Sequence, residues 1–388
     1  YVAPDLTILN DIVTKSGVTE MSYQQEPDSI LWCVRDDGIL AGLTYQRSEN
    51  VVAWHRHILG GKFGEATITV TDFANIADAT KIVFTKSDGT TTTFTSATSA
   101  TAGKFHNTSS NNQTATNLKT LIDADSDFTA TVASNVVTIK ETSPQATGFL
   151  TISSGDTTRL ASTDEGHAVV ESAASISGEL TEDEFYIIVK RTVNGSTKRY
   201  VEVFANFDFD ETDATDFRFL DSHLTYSGSA TTSLSGLAHL EGQTVSVLAD
   251  GSTHADKVVS SGSISLDRSA TKAVVGLAYD SVLQTMRIEG GAAEGTSQGK
   301  TKRISKVVLR LFETVGVKVG PSLSNLETVP FRTTSSNLSA PVDTLLAGDK
   351  EIEFRDDYNS DGFIFIKQDQ PLPLSILAIY PTVVTSDG

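Results

Sequence analysis

Five stretches of this chain share one pattern, in which two short runs of alternating apolar and polar residues, rich in Val, Ile, Thr and Phe, flank a turn. They are "TKIVFTKSDGTTTTFTS", "ATVASNVVTIKE", "YIIVKRTVNGSTKRYVEVF", "VSVLADGSTHADKVVSSGSISL" and "EIEFRDDYNSDGFIFIKQ". A period of two puts successive side chains on opposite faces of a strand, and Asp-Gly or Asn-Gly between such runs supplies the positive φ angles of a tight hairpin. Asp88-Gly89, Asn194-Gly195, Asp250-Gly251 and Asp361-Gly362 occupy those positions. The pattern predicts a mainly β fold built from hairpins.

Two segments depart from it. "APDLTILNDIVTKSG" places Leu6, Leu9, Ile12 and Val13 at helical spacing, and "NQTATNLKTLIDAD" does the same with Ala115, Leu118, Leu121 and Ile122. Both read as short packing helices. Composition also shifts along the chain. From "ATITVTDFANIADATK" to about residue 165 the sequence is rich in Thr, Ser and Asn and poor in Arg and Trp, whereas the flanks carry aromatics, Arg and longer strands. This divides the chain into residues 1–64, an inserted small β domain with one short helix at 65–165, and 166–388. The outer parts form one architecture, and the insertion has neighbouring ends.

The 388 residues, 39% of them apolar, suffice for sizeable cores. The first residues, Tyr1-Val2-Ala3-Pro4, read as ordered sequence and not as a signal peptide, which suggests a processed chain or the C-terminal portion of a longer one. No run of about 18 apolar residues occurs, so no helical membrane span is expected. The single cysteine, Cys33, lies in the apolar run "SILWCV" and reads as a buried hydrophobe, with no intrachain disulfide or Cys-based zinc site available. A net charge of -19 argues against a protein that grips a phosphate backbone.

Several motifs bear on chemistry. In "VVAWHRH", alternation puts Val52, Trp54 and Arg56 on one strand face and Val51, Ala53, His55 and His57 on the other. His55 and His57 are candidate ligands for a transition metal, but His106, His167, His223, His239 and His254 stand alone in sequence and offer no evident third donor. The pair reads more readily as structural or interface groups. "DYNSDG" supplies Asp357, Asn359 and Asp361 in the spacing of a calcium loop, yet Gln368 stands where a bidentate Glu is needed, so a hairpin turn is the simpler reading. "EGTSQGKT" is one residue short of a phosphate-binding loop and precedes strand-like alternation, so it reads as a loop without nucleotide. "NFDFDETDATDFRFLD" clusters Asp208, Asp210, Glu211, Asp213, Asp216 and Asp221. Paired carboxylates can serve glycoside hydrolysis, but alternation with Phe207 and Phe209 makes them the solvated face of a strand. No Ser, His and Asp are set in a recognisable catalytic motif context, and no catalytic residue, cofactor or metal is expected.

The segments outside 65–165 resemble the tail nozzle proteins of short-tailed bacteriophages, also called tail tubular protein B or stabilisation proteins. The resemblance is carried in order by "EPDSILWCVRDDGILAGLTYQRSENVVAWHRH", "VVESAASISG", "YIIVKRTVNGSTKRYVE", "FLDSHLTYSG", "GLAHLEGQTVSVLADG", "VGLAYDSVLQTMRIE", "GKTKRISKVVLRLFETVGVKVGP" and "QDQPLPLSILAIYP". It implies a propeller-like or β-sheet platform architecture in which "DGILAGLTYQRSENVVAWHRH" forms a strand pair. It further implies a structural virion protein of the phage tail, a homo-oligomeric ring, hexameric by family resemblance, that closes the DNA channel and opens for genome ejection. Its partners would be the tail adaptor protein, tail fibres or tip proteins, and phage DNA that passes without specific binding. The 65–165 segment departs from the nozzle pattern and is similar to β modules of marine phage structural proteins, some labelled as resembling a domain of ubiquitin-activating enzymes. That label implies no ubiquitin chemistry. Two rival readings are a receptor- or glycan-binding module and a polysaccharide hydrolase.

Overall fold

Alternating sequence builds mainly antiparallel sheets. The computed structural model describes residues 5–386 apart from 9, 61–64, 87–89, 142–149, 165–167, 179–181, 194–195, 206–213, 290, 293–294, 297–298 and 332–344. Among these residues the chain is mainly β, with one α-helix, Asn111–Asp123. The one parallel strand pair among them joins Thr91–Ala97 to Phe105–His106. The chain divides into two units, Tyr1–Phe204 and Ala205–Gly388.

The first unit opens with a meander of four consecutive strands, Val18–Gln24, Ile30–Arg35, Leu40–Gln46 and Val51–His57. A second sheet is formed by Val169–Ile176, Glu184–Val193 and Ser196–Val203. Trp32, Val34, Leu40 and Leu59 share one buried core with Val170, Phe185, Ile187 and Val189, so residues before and after the middle segment bury each other. The Val170 amide donates to the Gly38 carbonyl at 2.9 Å. At Gly38, which has φ +80°, an added Cβ would lie 2.4 Å from Val169 Cγ1, so glycine permits both the turn and the close approach.

The middle segment has its own core, drawn from residues between Ala66 and Leu160. It holds one sheet ordered Leu160–Asp164, Glu65–Val70, Val136–Glu141, Phe128–Ala133, and another ordered Thr151–Ser154, Lys81–Thr85, Thr91–Ala97, Phe105–His106. Ser110 caps the helix, its Oγ accepting from the Gln113 amide at 3.1 Å, and Ala115, Leu118 and Ile122 are fully buried along one face with Leu121 packed beside them. The first and last strands of the segment pair antiparallel, with Ala66 opposite Asp164.

In the second unit, Asp221–Ser235, Ser263–Leu277, Thr244–Ala249 and Ser252–Val258 form a four-stranded sheet in that spatial order. Ser281–Gln284, Phe365–Gln368, Lys318–Ser322 and Asn325–Thr328 form another, and Leu346–Glu353, Thr301–Thr314 and Ser375–Ser386 a three-stranded one. These last two sheets share a core that includes Ile304, Leu309, Val319 and Ile366.

The hairpin pattern holds for the first four stretches. Asp250 and Gly251 have φ of 45° and 71°, as a two-residue hairpin loop demands. The dipeptides at 88–89 and 194–195 lie outside the described residues. The fifth stretch is a correction. Leu346–Glu353 pairs with Thr301–Thr314, whereas Phe365–Gln368 pairs with Ser281–Gln284 and Lys318–Ser322. Phe354 and Ile364, at the two ends of the connection, are 4% and 0% exposed in the same core, and this anchoring lets the strands leave for different sheets.

The first expected helix is also corrected. Only a short 3-10 helix, Asp11–Thr14, forms there, preceded by Asn10 with φ -154° and ψ 58°. Val13 is buried, but Ile12 is 54% exposed, and Leu9 lies outside the described residues. A segment this short, with β-branched Ile, Val and Thr in succession, gains too few helical hydrogen bonds to offset nucleation.

Candidate functional site

Strand register settles the surroundings of the His-x-His pair. Leu40 lies opposite His57, Ala41 opposite Arg56, Gly42 opposite His55 and Leu43 opposite Trp54. The His55 ring stands edge-on to Trp32, with centroids 5.3 Å apart and planes at 90°, and His57 lies 5.9 Å from the Phe204 ring. A Cβ at residue 42 would come within 2.4 Å of His55 Cε1, so Gly42 provides the seat for the imidazole. His55 is an exposed residue, and the desolvation its ring meets beside Trp32, with a smaller contribution from the neighbouring His57 charge, holds it below the ordinary imidazole range. Among the described residues no group of three or more His, Cys, Asp or Glu converges, so these two imidazoles are not joined there by a third ligand.

The opposite face of the same strand pair carries Trp54 and Arg56. Trp54 packs against the cluster of Val13, Cys33 and Ala41 and donates from Nε1 to the Leu6 carbonyl at 2.9 Å. Burial pushes the Cys33 thiol up, away from the thiolate that reactivity requires. Arg35, only 4% exposed, also belongs to this face. It donates from Nε to Ser16 Oγ at 2.9 Å and from Nη2 to Asp37 Oδ2 at 2.5 Å. Sequence reasoning passed over Arg35 and Asp37; their signal was a basic residue closing an apolar strand directly before the turn in "CVRDDGIL".

In the second unit, the candidate calcium loop is closed by its own hydrogen bonds. Asn359 Oδ1 accepts from the amides of Asp361 and Gly362 at 2.9 and 2.7 Å, and its Nδ2 donates to Asp356 and to the Asp357 carbonyl. Asp361 is paired with Arg287 at 2.8 Å. Beside the loop, Lys302 is 1% exposed, exchanges backbone hydrogen bonds with Asn359, and places its ammonium 3.0 Å from Glu289 and 3.4 Å from the Ser360 carbonyl. A calcium ion needs six or more converging oxygens. Here Asn359 Oδ1 already serves two amides, Asp361 serves an arginine, and a buried cation stands next to the loop. The arrangement suits a fixed turn rather than Ca²⁺ binding by Asp357, Asn359 and Asp361.

The same loop borders a cleft of about 730 Å³ whose wall includes Met286, Arg287, Glu289, Ser360 and Phe363. Two of its charges are engaged, Arg287 with Asp361 and Glu289 with Lys302. Met286 is 79% exposed, so the cleft presents an apolar lip between paired charges.

The remaining motifs do not converge. Asp208, Asp210, Glu211 and Asp213 lie outside the described residues, and Asp216 pairs with Lys272 at 3.2 Å. From "EGTSQGKT", Gly295–Thr296 pairs with Gly291–Ala292, and the following Thr301–Thr314 is a strand, so the loop does not lead into a helix N-terminus. His106, His223 and His239 each lie within hydrogen-bond distance of a backbone carbonyl, and His254 Nε2 accepts from the Asp267 amide. His167 lies outside the described residues. No protein-family model matches the chain, and no curated protein matches it.

Proposed function

We propose that the protein is a structural component of a bacteriophage tail, a nozzle-type subunit whose copies form a ring that closes the DNA channel and opens for genome ejection. The observation that carries this reading is the strand pair of Leu40–Gln46 and Val51–His57, held in continuous register from Leu40 opposite His57 to Gln46 opposite Val51. It lies in "DGILAGLTYQRSENVVAWHRH", a segment that resembles the nozzle proteins. The other resembling segments contribute strands to sheets of three or four members, the units from which a propeller-like platform is assembled.

Ring formation needs surfaces for neighbours. Among the described residues, Ser375–Ser386 pairs on one side only, with Thr301–Thr314, and it exposes Leu377, Tyr380 and Val384. An open edge with apolar side chains is suited to contact with another subunit. The net charge of -19 supports passage of DNA without adhesion, because an acidic lumen releases no counterions from the phosphate backbone. In this reading the tail adaptor lies above the ring, and tail fibres or tip proteins lie around it.

A second reading assigns host-receptor, glycan or tail-protein binding to the 65–165 segment. It is favoured by that segment's separate core and by the side-by-side strands through which it enters and leaves. Electron microscopy of the purified chain, with its mass in solution, tests the first reading. A ring with a central channel is expected, and a monomer at high concentration defeats it. Deletion of 66–165 tests the second, which fails if adsorption and tail assembly are unchanged.

A further inference from the structure

Exposed apolar side chains are unevenly distributed in the first unit. Among the described residues of 65–165 no large apolar side chain is exposed, whereas Met21, Tyr23, Tyr45, Val52, Ile176, Ile188, Val201 and Val203, all outside that segment, are exposed. Register sorts these eight onto two faces. Tyr23, Leu31, Leu43 and Trp54 lie opposite one another in a row across all four strands of the first sheet, with Met21 opposite Cys33 and Tyr45 opposite Val52 in the rows beside it. Trp32, Val34 and Leu40 alternate with these residues and enter the core shared by the two sheets, so the row belongs to the outer face. In the second sheet Ile188 is opposite Val201, Tyr186 opposite Val203 and Ile176 opposite Glu184, while the alternating Phe185, Ile187 and Val189 enter the same core. The two sheets form a sandwich with an apolar patch on each outer side.

The patches differ in kind. The first carries long side chains, with Met21 64% and Tyr23 55% exposed. The second carries β-branched ones, with Val201 73% exposed, and is bordered by carboxylates. Glu184 accepts from the Tyr186 hydroxyl at 2.5 Å, and Glu171 accepts from Arg199 at 2.6 Å. Long side chains seat against short ones without the voids that long against long leaves. The Tyr23 and Tyr45 hydroxyls need partners once desolvated, and the second side supplies acceptor carboxylates. Each patch is on the order of a few hundred Å², the size that marks a contact on a monomer. Two of them with their polar borders reach the roughly 1,200–2,000 Å² of total surface that a stable interface buries. Unlike faces on opposite sides of one body join head to tail, which is the arrangement that closes into rings.

We propose that a second copy of this chain docks its face of Ile188, Val201 and Val203 onto the face of Met21, Tyr23 and Tyr45 of the first. The contact stands without the tail reading; that its repetition closes a ring rests on that reading.

Sedimentation velocity of the full chain, of Tyr23→Glu and of Val201→Glu tests the contact. Both positions are more than half exposed, so the fold tolerates the new charge, and unchanged native tryptophan emission verifies this. Tyr23→Glu spoils one face and Val201→Glu the other. Each should weaken association by more than tenfold and leave monomers. Mixed in equal amounts they should form dimers and nothing larger, because each contributes its intact face. Dimers from either variant alone mean that like faces pair, which overturns the proposal. Assembly of both variants as in wild type also overturns it, and wild-type rings under electron microscopy then leave the tail reading standing. Open wild-type filaments that both substitutions dissolve support the contact and defeat the ring. A wild-type chain that stays monomeric at high concentration overturns both. Hydrogen exchange of the unsubstituted chain supplies a readout that needs no variant. Raising the concentration should slow exchange in Val18–Gln24 and Ser196–Val203 together, and slowing in neither overturns the proposal.

Discussion

Trp32 stacks on Phe185 with ring centroids 4.6 Å apart and planes inclined by 16°. One ring comes from the first sheet and the other from the second, on opposite sides of the 65–165 segment in sequence. Phe204 completes the cluster, 5.3 Å from Trp32 and 5.1 Å from Phe185. Buried aromatic rings of this kind dominate the energetics of a shared core.

Phe185→Ala therefore removes a stacked ring from the core that the two sheets share and should cost about 3–5 kcal/mol. Only two tryptophans are present, so Trp54→Phe makes fluorescence report on Trp32 alone. In that background, urea unfolding should show a lower midpoint for Phe185→Ala and a red-shifted native emission. An unchanged midpoint would mean that the two sheets do not depend on each other.

The pairing of Ala66 with Asp164 makes the middle segment removable. Replacing 65–165 by a short Gly-Ser turn should leave the native emission of Trp32 intact, because Arg191 still reaches the Gly60 carbonyl at 2.7 Å and the shared core is untouched. Expressed alone, the segment should melt cooperatively by calorimetry, having its own core. Loss of the Trp32 emission in the shortened chain would reveal a dependence that the packing does not suggest.

Strand character and hairpin turns were legible because both are local: a period of two, then Asp-Gly or Asn-Gly. The failed fifth hairpin was illegible because Asp361-Gly362 carries the same local signal. What redirects the strands is the burial of Phe354 and Ile364 in a core shared with distant residues. Likewise, Asp357, Asn359 and Asp361 have a calcium-like spacing, but spacing does not reveal that Asn359 turns its oxygen onto the amides of its own loop. That Arg35 and Arg56 share a sheet face depends on register across three strands, which no short motif encodes. The face assignment of His55 and Arg56 was readable because alternation alone determines it.

His55 sets a pH dependence. Desolvation of its ring and the His57 charge depress its folded-state pKa below the ordinary 6.5. At pH above that value both the folded and unfolded chains carry a neutral ring, and His55 contributes nothing to the slope. As pH falls through 6.5 the unfolded chain takes up its proton first, so stability declines until the folded ring also protonates. An NMR titration should place the His55 midpoint below 6.5, and His57→Gln should move it upward by removing a repulsion. A midpoint unaffected by His57→Gln would assign the shift to desolvation alone.

Lys302 and Glu289 provide the sharpest test of the second unit. The ammonium is 1% exposed and the carboxylate 33% exposed, with 3.0 Å between them. Removing the acid alone leaves a buried cation with the longer bond to the Ser360 carbonyl. Breaking one side of a buried pair costs about 3–5 kcal/mol, whereas replacing both partners by apolar groups of similar volume is often neutral. Glu289→Ala should accordingly lower the unfolding midpoint, and the double replacement Glu289→Leu with Lys302→Met should recover most of the loss. Chemical denaturation of the wild type, Glu289→Leu, Lys302→Met and the double replacement in a double-mutant cycle measures the coupling. If Glu289→Ala and the double replacement fall equally, the loss comes from the cleft wall and not from the unpaired charge.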